Sequence, residues 1–211
     1  MSNYPLFKVF MSPDVIKPLN EKLLSGFITQ GPAVDEFEKK LSELFNHPYI
    51  LTLNSATAGL TLAFRLIKDK MHLKEDDEVL SCPLTCMATN IPVMHNGMRI
   101  KWVDIDPKTG CINLEDLERK LTEKTKIITF VHWGGYPVDT DKLDEILERH
   151  KERLGFKPYV VEDCAHAFLS EIRGNYVGTK NFGVFSLQAI RSEEHTSELQ
   201  SRQYLVCRLL L

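Results

Sequence analysis

The chain has 211 residues, of which 43% are hydrophobic and 26% charged, and its formal net charge is −3 at neutral pH. These proportions are typical of a globular protein, and the slightly acidic balance gives no indication of a nucleic-acid partner. No stretch approaches the roughly 18 apolar residues of a membrane span, and the first residues lack the pattern of a secretion signal. We therefore expect a cytoplasmic protein with no membrane partner.

The five cysteines do not follow a zinc-binding pattern. Cys82 and Cys86 stand four apart, with no second pair to complete a site. Cys164 and His166 are two residues apart and could be imagined as metal ligands, but a buried thiol beside a pocket histidine is the simpler interpretation. The sequence therefore predicts no metal site, and reduced thiols again favour the cytoplasm.

Helical and strand patterns alternate along the chain, which predicts an α/β fold with a mostly parallel sheet. In chain order, the helical periodicity predicts helices at 13–25, 33–45, 56–71, 85–95, 114–121 and 140–151. Between them, short apolar runs predict strands at 49–53, 78–81, 100–105, 126–132, 159–162 and 183–187. No internal repeat or low-complexity segment interrupts this pattern, so residues 1–190 are predicted to form one continuous domain.

The segment Asn54-Ser55-Ala56-Thr57-Ala58 lies where a predicted strand ends and a long helix begins. A helix N-terminus offers free backbone N–H groups and the positive end of its dipole, and small residues let a phosphate approach. Serine and threonine are also ordinary helix caps, so the segment by itself is consistent with either role.

The segment Glu162-Asp163-Cys164-Ala165-His166 follows an apolar strand. Asp163 is therefore predicted at the carboxyl end of a parallel strand, where α/β folds bind ligands. An aspartate at a strand end can also cap the following helix, and a lone histidine is often structural. Spacing alone does not separate these interpretations.

Residues 159–190 resemble the centre of the DegT/DnrJ/EryC1/StrS family of PLP-dependent sugar aminotransferases. The resemblance extends over nearly all of residues 10–190, including GPAVDEFEKKL near the start and HWGGYPVD at 132–139. It implies a three-layer fold-type-I PLP-transferase large domain, truncated because the rest of that domain and a small C-terminal domain are absent.

The resemblance also implies a cofactor role for each matching residue. The backbone at Ala56 and Thr57, with Ala56 where the family usually has glycine, would hold the PLP phosphate, and the Ser186 hydroxyl would bind the same group. Asp163 would pair with the protonated ring nitrogen, and this keeps the ring an electron sink. His166 would lie beside the ring, in contact with the phenolic oxygen or the substrate.

Cys86 occupies the position where the family has an aromatic residue that stacks on the cofactor ring. A thiol touches a π face only weakly, so this departure puts the stacking role in question. Without the resemblance, the segment around Cys86 is simply a helix N-terminus opened by Thr85.

The lysine that forms the Schiff base in this family is expected at position 191, where the chain has Arg191. An arginine stays protonated and cannot form that bond, so no catalytic residue is predicted. Residues 191–211 resemble an in-frame translation of a sequencing-library adapter, and we interpret them as a non-native tail with poor packing. The alternative is a genuine, divergent C-terminus.

The full-length relative is thus expected to be a homodimeric PLP-dependent aminotransferase. It would transfer an amino group, from glutamate, to a keto sugar on a nucleotide carrier. One alternative is a PLP-dependent nucleotide-sugar dehydratase of the same fold, in which histidine replaces the lysine. Another is a non-catalytic regulatory relative. A dinucleotide-binding domain is disfavoured because no G-x-G-x-x-G follows a strand.

Overall fold

The computed structural model describes residues 12–188 and 207–210. Helices α1 to α6 span Ile16–Ser25, Pro32–Phe45, Ala56–Met71, Met87–His95, Leu114–Lys120 and Thr140–Leu154. Strands β1 to β9 span Ile50–Leu53, Glu78–Ser81, Arg99–Trp102, Thr125–Val131, Tyr159–Asp163, Glu171–Ile172, Asn175–Tyr176, Phe182–Ser186 and Cys207–Leu210. Short 3-10 turns lie at Pro13–Val15 and Trp133–Gly135.

Seven of the described strands form one sheet in the order β1-β9-β8-β5-β4-β2-β3. The pairs from β8 to β3 are parallel, and β9 runs antiparallel to both of its neighbours. Strands β1 and β8 are therefore parallel to each other, and the carboxyl ends of β1, β8, β5, β4 and β2 lie at one edge. The predicted mostly parallel α/β sheet is confirmed.

Helices cover both faces of the sheet and give three layers. On the first face, α3 and α4 bury an apolar cluster that includes Val161 of β5 and Val184 of β8. On the second face, α5 and α6 pack against Val160 of β5, while α2 packs against Phe185 of β8. Side chains alternate between the two faces along each strand, so consecutive residues of β5 and β8 point to opposite layers.

The local signals explain where the site-bearing helices begin. The Ser55 side chain accepts a hydrogen bond from the Ala58 N–H and caps α3. Helix α2 has Pro32 in its first turn, where the missing N–H of proline has no cost. Among the described helices, none is long and apolar enough to cross a membrane.

The structure contains two elements that the sequence did not predict. The hairpin β6–β7 was not predicted, because its strands are only two residues long and carry no alternating pattern. Strand β9 lies inside the segment interpreted as a tail and pairs with β1 and β8. The prediction of a poorly packed tail did not anticipate this backbone pairing. Residues 191–206 and 211, and the side chains of residues 207–210, lie outside the described part of the chain.

The physical reason for β9 is the gap that it fills. Strand β9 lies between β1 and β8. Without it, the facing edges of these two strands would each have a row of unpaired backbone N–H and C=O groups. Pairing of this kind depends on backbone hydrogen bonds and does not require a selected sequence.

Candidate cofactor site

The centre of the candidate site is the carboxylate of Asp163 at the end of β5. The residue is only 4% exposed. Its Oδ2 accepts a 2.7 Å hydrogen bond from the Thr89 hydroxyl, and its Oδ1 accepts a 3.0 Å hydrogen bond from the Ala165 N–H. Burial raises the pKa of Asp163, although the hydrogen bonds from Thr89 and Ala165 oppose that rise. A buried carboxylate with two hydrogen bonds keeps further lone pairs, so it suits a cationic N–H partner.

The predicted phosphate segment lies at the same edge of the sheet. Ala56 and Thr57 form the first two positions of α3, and their N–H groups precede the first intrahelical hydrogen bond. The Ser55 hydroxyl accepts a hydrogen bond from the Ala58 N–H. The N–H groups of Ala56 and Thr57 are therefore left to bind a ligand at the start of the helix. The 16-residue length of α3 gives this end a full helix dipole, so an anion is favoured there.

Ser186 ends β8, the strand next to β5 in the sheet. Asp163 pairs in register with Val184, and Ser186 lies two residues further along, on the same face as Val184. Its hydroxyl accepts a 3.4 Å hydrogen bond from the Gln188 N–H. Asp163, Ser186 and the start of α3 therefore share one edge and one face of the sheet.

Cys86 is exposed and precedes α4 as its N-cap residue. The first turn of α4 carries Thr89, which bonds Asp163, and this brings Cys86 to the same edge. His166 lies in the loop after β5, half-buried, and its Nδ1 accepts a 3.3 Å hydrogen bond from the Gly134 N–H. All six candidate cofactor residues thus lie at the carboxyl edge, while position 191 lies outside the described residues.

A second buried cluster lies on the opposite face of the sheet, directly behind Asp163. Glu162 Oε2 is 2.9 Å from His132 Nε2 and also accepts the Gly178 N–H, while its Oε1 accepts from the Asn181 amide. Burial alone would raise the pKa of Glu162, but the hydrogen bonds from His132, Asn181 and Gly178 outweigh it and lower that pKa. His132 Nδ1 accepts the Val138 N–H at 3.0 Å, so Nε2 carries the proton.

His132, Glu162 and Cys164 each place one possible ligand atom close enough to the other two to coordinate a single metal ion. Their contacts favour a hydrogen-bonded core, because both Glu162 oxygens already accept N–H donors. Burial raises the pKa of the Cys164 thiol well above its ordinary value, and this disfavours a thiolate ligand. Cys164 and His166 make separate contacts, with Glu162 O and Gly134 N respectively.

Sequence reasoning missed the roles of Thr89, His132 and Glu162. Thr89 lies one helical turn after Thr85, and their hydroxyls are 2.6 Å apart, so the pair forms a short chain toward Asp163. His132 follows β4 just as Cys164 follows β5, and these strands are neighbours. Polar residues at the ends of neighbouring strands were the available signal.

The family profile described as the DegT/DnrJ/EryC1/StrS aminotransferase family matches residues 11–192. The chain belongs to this family. AtS13 from Actinomadura melliaura is 46% identical and has a TM-score of 0.83, over 89% of this chain and 50% of AtS13. The sugar aminotransferase CalS13 from Micromonospora echinospora is 38% identical, with a TM-score of 0.86 over 98% of this chain and 53% of CalS13.

Other relatives differ in the activity that their names state. GDP-perosamine synthase from Escherichia coli O157:H7 is 33% identical over 92% of this chain and 52% of the synthase. The E. coli GDP-4-keto-6-deoxy-D-mannose-3-dehydratase, solved with bound hydrated PLP, is 26% identical with a TM-score of 0.84. That match covers 99% of this chain and 51% of the dehydratase. The chain spans about half the length of these relatives, and its fold is the fold-type-I fold of a PLP transferase.

Proposed function

We propose that this chain is the cofactor-binding half of a PLP-dependent aminotransferase that acts on a nucleotide-linked keto sugar. The observation that carries the proposal is the buried Asp163 carboxylate at the carboxyl end of β5, on the same face as the start of α3. A carboxylate there suits a protonated ring nitrogen, and the helix start suits a phosphate. PLP contains both groups, and the solved dehydratase of the same fold binds PLP.

The residues present divide the work of binding between them. Asp163 would hold the ring nitrogen. Thr57 at the start of α3 and Ser186 at the carboxyl end of β8 would hold the phosphate. Bound PLP supplies an electron sink for carbanion chemistry. Cys86 replaces a larger stacking residue, so we expect the ring to be held mainly by its polar edges.

Two functions share this fold, and sequence identity favours one of them. AtS13 and the named aminotransferase CalS13 are 46% and 38% identical to this chain, whereas the dehydratase is 26% identical. We therefore favour amino transfer, with glutamate as donor, in a cytoplasmic homodimer. A dehydratase or a non-catalytic regulatory relative is the alternative.

The chain as it stands has Arg191 where the family's lysine is expected. We infer that residues 1–190 are the N-terminal part of the large domain and that residues 191–211 are a non-native tail, so the chain binds PLP without attaching it covalently. Arg191→Lys in this 211-residue chain would not restore turnover, because these residues span only about half of the length of the relatives. Recovery of the source DNA beyond the codon for Ile190 would test this inference directly.

The experiment is a PLP titration of the purified chain, followed by borohydride treatment and mass spectrometry. We expect saturable binding that Asp163→Ala abolishes, no covalent adduct at a single lysine, and no turnover of a nucleotide-linked keto sugar. Absence of any PLP binding would contradict the cofactor proposal. Turnover, together with trapping at one lysine, would contradict the inference about Arg191.

A further inference from the structure

The turn after β4 contacts the loop after β5 through a backbone-to-histidine hydrogen bond. The Gly134 N–H donates to His166 Nδ1 at 3.3 Å, and the Trp133 ring lies edge-on to His166 with centroids 5.4 Å apart. A backbone N–H can only donate, so Nδ1 must accept. The ring proton of His166 therefore resides on Nε2.

The turn itself is tied firmly to the strand that carries Asp163. The His132 N–H donates to Asp163 O at 3.2 Å, and the His132 ring is held between Val138 N–H and Glu162. Gly135 has φ +82°, and a Cβ added there would lie 3.1 Å from His166 O. Glycine at this position thus permits the close approach of the two loops.

Nε2 is the second ring nitrogen of His166, since Nδ1 already accepts the Gly134 N–H. Among the residues that the structure describes, no group is hydrogen-bonded to His166 Nε2, although the side chain is half-buried. Its N–H is therefore a donor directed by the turn and available to a ligand. If the start of α3 and Ser186 hold the phosphate and Asp163 holds the ring nitrogen, the anionic oxygen of PLP left without a partner is the phenolic oxygen.

We propose that Trp133 and Gly134 are positioning residues that lock His166 as the Nε2–H tautomer, so that it donates to the phenolic oxygen of bound PLP. The inference rests on the proposed function, since it assumes PLP as the ligand. It assigns a role toward the ligand to the turn at Trp133–Gly135, which leads from β4 toward α6.

The first test needs no variant. Long-range ¹H–¹⁵N NMR of the histidine-labelled 211-residue chain, without PLP, reports the protonation of each ring nitrogen. We expect His166 Nδ1 unprotonated and Nε2 protonated, with the signal assigned by its loss in His166→Leu. A proton on Nδ1, or averaged shifts from two tautomers, would overturn the proposal.

The second test compares the chain's two tryptophans. Trp133→Ala is expected to give averaged His166 shifts and to weaken PLP binding about three- to tenfold, the equivalent of one hydrogen bond. Trp102→Ala, at the exposed end of β3, should change neither.

An analogue identifies the atom that receives the hydrogen bond. The chain should bind 3-deoxypyridoxal phosphate, which lacks the phenolic oxygen, with an affinity that Trp133→Ala leaves unchanged. If Trp133→Ala loses as much affinity for this analogue as for PLP, the assignment to that oxygen is wrong. If Trp133→Ala keeps the His166 shifts of a single tautomer and full affinity for PLP, the proposal is also wrong. If the wild-type chain has locked His166 shifts but binds no PLP, the proposed function fails and the tautomer assignment stands.

Discussion

The Thr89 hydroxyl donates a 2.7 Å hydrogen bond to Oδ2 of Asp163 and so joins the first turn of α4 to the end of β5. Both residues are buried, and they are 74 positions apart in the chain. The contact holds the carboxylate in place but does not neutralise it. The burial that raises the pKa of Asp163 therefore has consequences for both stability and cofactor affinity.

Asp163→Asn should stabilise the chain in the absence of PLP and weaken PLP binding. Because the folded pKa of Asp163 lies above its ordinary 3.8, stability falls as pH rises from that value through the folded pKa. The amide oxygen can still accept from the Ala165 N–H, and the amide NH2 can donate to the Thr89 hydroxyl, so both contacts are kept without a buried charge. We expect a gain of about 1 kcal/mol in urea unfolding at pH 7 and about a 10- to 100-fold loss of PLP affinity.

Asp116→Asn is the matched control for this prediction. Asp116 is also a buried aspartate, but the hydrogen bonds from Asp104 N–H, Lys120 and Arg119 outweigh its burial and lower its pKa. Its neutralisation should reduce stability and leave PLP affinity unchanged. A loss of stability in Asp163→Asn comparable to that in Asp116→Asn would contradict the prediction.

Glu162 should contribute stability that is lost in acid. Its folded pKa is below the ordinary 4.5, so the contribution is present above about that pH and disappears as pH falls through the folded pKa. Glu162→Gln should reduce the loss of stability at acid pH, because glutamine does not titrate, and its amide oxygen can still accept from the Gly178 N–H. Glu162→Leu leaves donors of His132, Gly178 and Asn181 unpaired and should cost about 3 kcal/mol or more. Unfolding by urea between pH 3 and 7 measures both effects.

His150 should produce a separate pH dependence near neutrality. It is 2% exposed, neither ring nitrogen has a hydrogen-bond partner among the described residues, and its ring lies edge-on to Phe156. Burial lowers its pKa, with smaller effects from Arg153 and Lys126. The unfolded chain therefore binds the proton first, and stability falls as pH drops through about 6.5, by at most about 1.4 kcal/mol per pH unit.

Two substitutions separate the charge of His150 from its polarity. His150→Leu and His150→Gln should both remove the slope near pH 6.5, since neither side chain titrates. Leucine should also raise stability throughout, whereas glutamine keeps a buried polar group without a partner. A slope that persists in both variants would assign the pH dependence to another group.

Ala56→Pro should weaken phosphate binding while leaving α3 in place. Proline is accepted at the first helical position, and Ser55 already has extended backbone, with φ −162° and ψ 156°. The substitution removes one N–H from the predicted phosphate site. We expect about a three- to tenfold loss of affinity for PLP and for inorganic phosphate. Circular dichroism checks that the helix content is unchanged, and Thr57→Val tests the neighbouring hydroxyl separately.

The sequence by itself determined the α/β class and most helices and strands, because apolar periodicity and capping residues are local signals. Helix α3 begins and ends where predicted, since Ser55 caps it and the apolar face of Leu60 and Phe64 continues through it. The family motifs predicted Asp163 and Thr57 as cofactor residues, and the structure places Asp163 at the end of β5 and Thr57 in the first turn of α3, after β1.

Only the tertiary structure decided which polar groups meet. Thr89 and Asp163, or His132 and Glu162, are far apart in sequence, and their contacts follow from the order β8-β5-β4-β2 of the strands and the helix that covers them. The order of the strands also explains why residues 207–210 pair between β1 and β8, although the sequence placed them in a non-native tail. Backbone hydrogen bonding across a sheet depends on which strands are neighbours, and no local pattern of residues encodes that.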